Sequence, residues 1–239
     1  MFRLIFLFLI ISQSGFTQEI NLELGTVENS YNKVRIPGDA GDKFNLAPSF
    51  QDQNFFYRLS YAQKFSEKHG FRLLYAPLKL KGDDTFNKNI RFNDATFSAN
   101  TETDTNYKFN SYRATYFYEL IQKSHLLLRI GATLKVRDAE IKLKQGPLSE
   151  SKKNVGLVPL LYLYSEYKWD NGLRMAFDFD GLIAPQGRAF DIALMAGYYF
   201  NPKVHLNLGY RMLDGGADND TVYNFGFFNF YFTSLNYSF

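Results

Sequence analysis

Leu126-Leu127-Leu128-Arg129-Ile130-Gly131-Ala132-Thr133-Leu134-Lys135-Val136 decides the fold. Its even positions are apolar throughout, while the odd ones carry Arg129, Gly131, Thr133 and Lys135. A period of two belongs to a strand with one greasy and one polar face. The same alternation runs through Tyr112 to Leu120, Leu173 to Asp180 and Val204 to Met212. Each run is about the 9–11 residues that a tilted strand needs to cross a bilayer. Ten strands follow, at roughly 19–29, 54–66, 70–82, 106–120, 125–143, 152–169, 173–184, 188–200, 203–213 and 223–239.

The connections alternate in kind. Ser66-Glu67-Lys68-His69-Gly70, Ile121-Gln122-Lys123-Ser124, Asp170-Asn171-Gly172 and Asn201-Pro202-Lys203 are tight turns. Between them lie two long polar connections, about 30–53 and 83–105, and three others: Gln145 to Ser151, Pro185-Gln186-Gly187, and Leu213 to Thr221. Short turns on one rim and longer loops on the other predict an all-β, ten-stranded antiparallel transmembrane barrel, with the turns and both termini periplasmic and the loops extracellular. Phe65, Phe71, Tyr118, Tyr167, Trp169, Phe200, Tyr237 and Phe239 fall at the turn-bearing rim, as an interfacial aromatic girdle requires. A soluble sandwich or lipocalin-like barrel also alternates, but it has no reason for such a girdle or for one-sided loop lengths. Mid-strand Pro77 marks a bulge or an edge.

Composition fits this frame. The 239 residues include 25 Phe, 17 Tyr and one Trp, yet mean hydropathy is −0.28, so the rings are housed without a long apolar run. Zero cysteines exclude a disulfide scaffold, a thiolate metal site, a cysteine nucleophile and a lipid-modified N-terminus. A net charge of +3 with no strongly basic block argues against nucleic acid as a partner. Basic Arg3, the apolar run Leu4 to Ile11 and small residues at Gly15 and Thr17 read as a signal peptide over residues 1–18, cut after Thr17 or Gln18, leaving a 19–239 barrel domain.

The chain ends Phe230-Tyr231-Phe232-Thr233-Ser234-Leu235-Asn236-Tyr237-Ser238-Phe239, with Leu235, Tyr237 and Phe239 on one face. This resembles the terminal strand of Gram-negative outer-membrane proteins, in which a final Phe and alternate apolar residues form the signal for the barrel assembly machinery. Ser234 stands where that signal usually has Gly. The Phe-, Tyr-, Asn- and Lys-rich composition resembles that of Bacteroidota proteins. The resemblance is one of architecture and implies a monomer in the outer membrane, among lipid and lipopolysaccharide.

The polar face then lines the lumen. Its charged and tyrosine residues include Arg58, Arg113, Glu119, Arg129, Lys135, Tyr162, Tyr164, Glu166, Asp178, Asp180, Asp191 and Arg211. Pairing across the turn after Leu120 sets Arg113 opposite Thr133 and Phe117 opposite Arg129, which makes strands four and five a basic wall. Pairing across Pro185-Gln186 sets Asp180 opposite Asp191 and Asp178 opposite Ala193, an acidic wall flanked by Tyr162 and Tyr164 and approached by Arg211. Carboxylates that close need cations beside them. Two functions are open: a lumen plugged by cross-lumen salt bridges, or a narrow porin-like channel whose two walls orient a small polar solute. A barrel that binds a surface or assembly partner through loops 30–53 and 83–105 is the alternative from another class.

Enzyme chemistry has weak support. The omptin proteases and the lipid A deacylases place a histidine near the outer rim, whereas His69, His125 and His205 all map to the turn-bearing rim. An acid-pair hydrolase using Asp180 and Asp191 is the remaining catalytic reading. No organic cofactor is implied. Asp214, Asp218 and Asp220, with Asn219 and two glycines, offer hard oxygens for calcium, but lack the bidentate Glu of an EF-hand and read more readily as a solvated surface turn. Lys142, Lys144, Lys152 and Lys153 could meet lipopolysaccharide phosphates, or belong to a strand extended into solvent.

Overall fold

The computed structural model describes residues 17–50 and 54–239. The expected leader falls largely on residues outside this range. Ten antiparallel strands form a closed barrel. They are β1 (Gln18–Arg35), β2 (Asn54–Lys64), β3 (His69–Ala76, resuming at Lys79–Thr85), β4 (Glu102–Gln122), β5 (Leu126–Gln145), β6 (Leu148–Lys168), β7 (Leu173–Ala184), β8 (Gly187–Asn201), β9 (Val204–Asp218) and β10 (Tyr223–Ser238). Each strand pairs with its sequence neighbour, and β10 closes on β1 from Glu19↔Ser238 to Arg35↔Tyr223. The break in β3 sits at Pro77, which has no N–H for the ladder, and Leu78 O still accepts from Phe109 N (2.8 Å).

The two faces sort by the period of two. Outward go Leu24, Leu59, Leu73, Leu134, Leu161, Met175, Leu194, Leu208 and Leu235, all exposed. A continuous apolar belt of this kind is far larger than soluble proteins leave in water. It is the surface of a barrel that crosses a bilayer, with each strand hydrogen-bonded to a neighbour on both sides in a closed sheet. Phe65, Tyr167, Trp169, Phe200, Tyr237 and Phe239 form an exposed aromatic ring at the turn-bearing rim.

Two strand pairs run further toward the loop-bearing rim than expected, and this corrects the loop assignments at 145–151 and 213–221. β5 and β6 pair out to Gln145↔Leu148, leaving a two-residue turn with Gly146 in the left-handed region (φ 57°). β9 pairs with β10 to Asp218↔Tyr223, whereas β7 and β8 pair to Ala184↔Gly187 across the short turn that was expected. The long connections on this rim are therefore the first two alone, 36–53 and 86–101. They are not merely polar. A two-residue strand (Phe44–Asn45), a 3-10 turn (Ala47–Ser49) and a hairpin (Ile90–Phe92, Ala95–Phe97) bury Leu46, Phe50, Phe86, Ile90, Phe92 and Phe97 against Val34, Ile36, Leu80 and Leu143. Gln145 ties the hairpin to β5 through Ser98 N (2.9 Å) and Ser98 O (3.0 Å). The barrel thus carries a small hydrophobic cap core on one side of this rim.

Above the apolar belt the outward face of β4–β6 becomes ionic: Lys108 meets Asp138 (2.8 Å) and Glu140 (3.7 Å), and Lys153 meets Glu140 (3.7 Å). The hydrogen bond that it donates to Asp138 holds the Lys108 ammonium above the usual lysine range. Register puts Lys142, Lys144 and Lys153 on this outward face and Lys152 on the other.

Candidate functional site: the luminal ion network

The inward face brings the acidic and basic walls into direct contact. Asp180 lies opposite Asp191 and Asp178 opposite Ala193, as the turn at 185–186 implied. Arg113 spans both acids, its Nη1 donating to Asp180 (2.8 Å) and its Nη2 to Asp191 (2.5 Å). From β3, Arg72 donates to Asp178 (2.9 Å) and Asp180 (2.9 Å), and its guanidinium stacks over Tyr162 at 4.5 Å. Arg58 of β2 reaches Asp191 (3.0 Å) and sits 3.4 Å from Glu23 of β1. Arg211 of β9 donates to Asp191 (2.5 Å) and Glu23 (2.9 Å) and lies 3.4 Å from Asp178. Thr133 adds a hydroxyl to Asp180 (2.5 Å) and exchanges a hydrogen bond with Thr115 (2.7 Å). Four guanidiniums meet four carboxylates, so the cluster is neutral. Arg211 is 1% exposed and Asp191 2%.

The register of the basic wall differs from expectation by two residues. Arg113 faces Lys135, Thr115 faces Thr133, Phe117 faces Gly131 and Glu119 faces Arg129. The cause is a turn of three residues, Lys123 to His125, with a bulge at Leu120, where a simple four-residue turn was expected. A shift of two preserves each residue's face, which is why the lumen assignments survive it. Its consequence is that Arg129 does not join the acidic wall. It forms a second cluster toward the turn-bearing rim, where Glu119 accepts from Arg129 (3.0 and 2.9 Å) and Lys64 (2.7 Å). Nearby, Glu166 accepts from Tyr164 (2.7 Å), Tyr199 (2.8 Å) and Arg174, and Arg174 in turn donates to Asn207.

The lumen is also less polar than the strand pattern implied. Phe230 and Phe232 of β10 point inward, with Phe56 in edge contact with Phe230 at 4.8 Å. Phe117 and Phe232 lie under Arg129 (4.6 Å) and Arg211 (5.7 Å). Together the network and these rings divide the lumen. On the turn side a polar pocket of about 60 Å³ remains. On the loop side is a vestibule of about 360 Å³, floored by Arg113, Asp180 and Asp191 and reaching the rim at Gln186, Asn219 and Asn224.

Other candidates are placed as follows. Asp214 and Asp218 lie on β9 itself, four residues or about 13 Å apart along the strand. Asp214 is bonded to Arg188 (2.8 Å) and Tyr31 (2.9 Å), Asp218 lies 3.9 Å from Arg35, and Asp220 is in the turn. Among the described residues no three His, Asp or Glu side chains converge as a metal site. His69, His125 and His205 all lie by the turn-bearing rim. Leu235, Tyr237 and Phe239 project outward together from the β10 end.

No protein-family model and no curated protein matches this chain. Among solved structures, the outer membrane protease OmpT from Escherichia coli superposes with a TM-score of 0.59 at 11% identity, covering 95% of this chain and 99% of that one. The fold is that of an outer-membrane β-barrel. The attachment invasion locus protein Ail of Yersinia pestis (12% identity, 93% of this chain and 99% of that one, TM-score 0.42) and an outer membrane channel from Pseudomonas putida F1 (9%, 94% and 95%, 0.44) are also similar. At these identities the likeness concerns the fold alone.

Proposed function

We propose that this protein resides in the outer membrane of a Gram-negative cell, termini inward and loops outward, as a barrel sealed against solute flow whose work is done at its loop-bearing end. The observation that carries the sealed reading is the neutral cluster of Arg58, Arg72, Arg113 and Arg211 with Glu23, Asp178, Asp180 and Asp191, which joins seven of the ten strands across the lumen. A conducting path requires pulling these pairs apart where water is scarce, at an effective cost of several kcal/mol per ion. A porin-like lumen keeps its two walls separate, and here they touch at 2.5–3.4 Å. The same contacts weigh against acid-pair hydrolysis, because the oxygens of Asp180 and Asp191 are occupied by arginines and Thr133. The cap core supports a binding role at the loops, since it packs side chains of 36–50 and 86–97 together over the barrel end.

Single-channel recording in a planar bilayer tests the seal. The refolded wild type is expected to be silent, and an Arg113→Ser/Asp191→Ser pair to produce discrete steps. Steps from the wild type, with selectivity that changes in Asp180→Asn, would overturn the sealed reading in favour of a narrow channel for small polar solutes.

A further inference from the structure

The vestibule contains a charge imbalance that the plug does not resolve. Lys135 and Arg137, two residues apart on β5, both line it. Among the described residues, Arg58, Lys64, Arg72, Arg113, Arg129, Arg174 and Arg211 each have a carboxylate within 4 Å, while Lys152 and Lys168, on the same inward face toward the two rims, lie outside the vestibule wall. Arg188 at the vestibule rim is matched by Asp214. Lys135 and Arg137 have no carboxylate at that distance. Lys135 is 3% exposed, and its ammonium lies 4.7 Å from the centre of the Phe109 ring. Arg137 donates to the side-chain oxygen of Asn154, while its Nε is buried without a hydrogen-bond acceptor. A buried cation without a counter-charge is costly, and with Lys135 buried and Arg137 half-buried beside it, an anion held between the two would offset that cost.

The rest of the wall decides what kind of anion. Tyr107, Phe109, Ile141, Leu182, Leu213 and Phe228 make the cavity largely apolar, and Gly156, Ala139, Ala189 and Gly215 on its lining keep it wide. Its size of about 360 Å³ is that of a small-molecule site. An inorganic anion gains nothing from such walls, and a neutral apolar molecule leaves the two cations unmatched. We propose that the vestibule binds a small amphipathic carboxylate, its acid group against Lys135 and Arg137 at the inner end and its hydrocarbon or aryl body directed along the apolar wall toward the rim. The neutral plug is the floor of this site, so the proposal rests on the sealed lumen. The two fail separately, one in conductance and the other in binding.

The test is calorimetric titration of the full chain in nanodiscs of zwitterionic lipid with octanoate, octan-1-ol and inorganic phosphate, with protein-free nanodiscs as the blank. Octanoate should bind saturably, and Lys135→Met and Arg137→Gln should each weaken it about tenfold or more, the effect expected for losing a charge-assisted hydrogen bond. Octan-1-ol and phosphate should bind at least as weakly as octanoate binds to those variants. Octanoate binding that is absent, or unchanged in Lys135→Met, overturns the proposal, as does octan-1-ol or phosphate binding as tightly as octanoate. Should Lys135→Met lack the heat-dependent gel shift of a folded barrel, Ala139→Phe decides, since it fills the cavity and leaves both charges in place. Octanoate binding retained in that variant overturns the assignment.

Discussion

At the scale of single residues, what matters in this lumen is how many partners remain when one is removed. Arg211 serves Glu23, Asp178 and Asp191 at once and is almost wholly buried. Arg211→Met strips one guanidinium from three carboxylates and should cost about 3–5 kcal/mol, read as a lower urea midpoint for loss of the heat-shifted band. Arg129 is a contrast, because its partner Glu119 keeps Lys64 at 2.7 Å. Arg129→Gln should therefore cost less, roughly 1–3 kcal/mol, in the same assay. Equal losses would mean that the clusters do not differ in redundancy. Much of this was legible in the sequence: a period of two assigns each charge to the lumen, and the tight turn at 185–186 fixes Asp180 against Asp191. The cross-lumen partners were not, because no local rule joins Arg58 to Asp191, 133 positions later in the chain.

At the scale of elements, strand neighbours are matched by size across the inward face. Phe117 has Gly70 on one side and Gly131 on the other, and Phe232 has Gly25 and Gly209. A side chain at Gly209 would begin 2.3 Å from the Phe232 ring, and one at Gly70 2.3 Å from that of Phe117. Rings lying over glycines fix register as well as fill space. Gly209→Val should cost about 1–3 kcal/mol through overpacking, again as a lowered urea midpoint, and Phe232→Leu in the same chain should recover part of it. A double variant no more stable than Gly209→Val alone would show that the ring is not what the new side chain meets. The cap core behaves differently. Phe44, Leu46, Phe50, Phe86, Ile90, Phe92 and Phe97 follow no sustained period, since they come from turns and strands of two or three residues, so the sequence reads as polar loop where the chain builds a core. Phe97→Ala should loosen that core by about 3–5 kcal/mol, seen as faster hydrogen exchange at 36–50 and 86–101 with β5–β8 unchanged. Exchange that rises around the whole barrel would mean that the cap and the barrel unfold as one unit.

At the scale of the molecule, the asymmetry of the two rims fixes the expected orientation. Both ends of the described barrel meet at the turn-bearing rim, where Gln18 and Phe239 exchange backbone hydrogen bonds (3.3 and 3.0 Å) beside the aromatic ring of Tyr167, Trp169 and Phe200. The cap, the long connections and the vestibule mouth lie at the opposite end. Barrels of this class keep short turns in the periplasm and long loops outside, so the cap should face the medium. An epitope inserted between Asn93 and Asp94 tests this, because Asn93 already adopts a left-handed turn conformation (φ 52°) at the tip of the hairpin, where extra residues leave the core contacts of Phe92 and Phe97 intact. Antibody should label that epitope on intact cells. The same epitope between Lys123 and Ser124 should be labelled only after the outer membrane is permeabilised. The reverse pattern would turn the barrel over and move the vestibule to the periplasmic side.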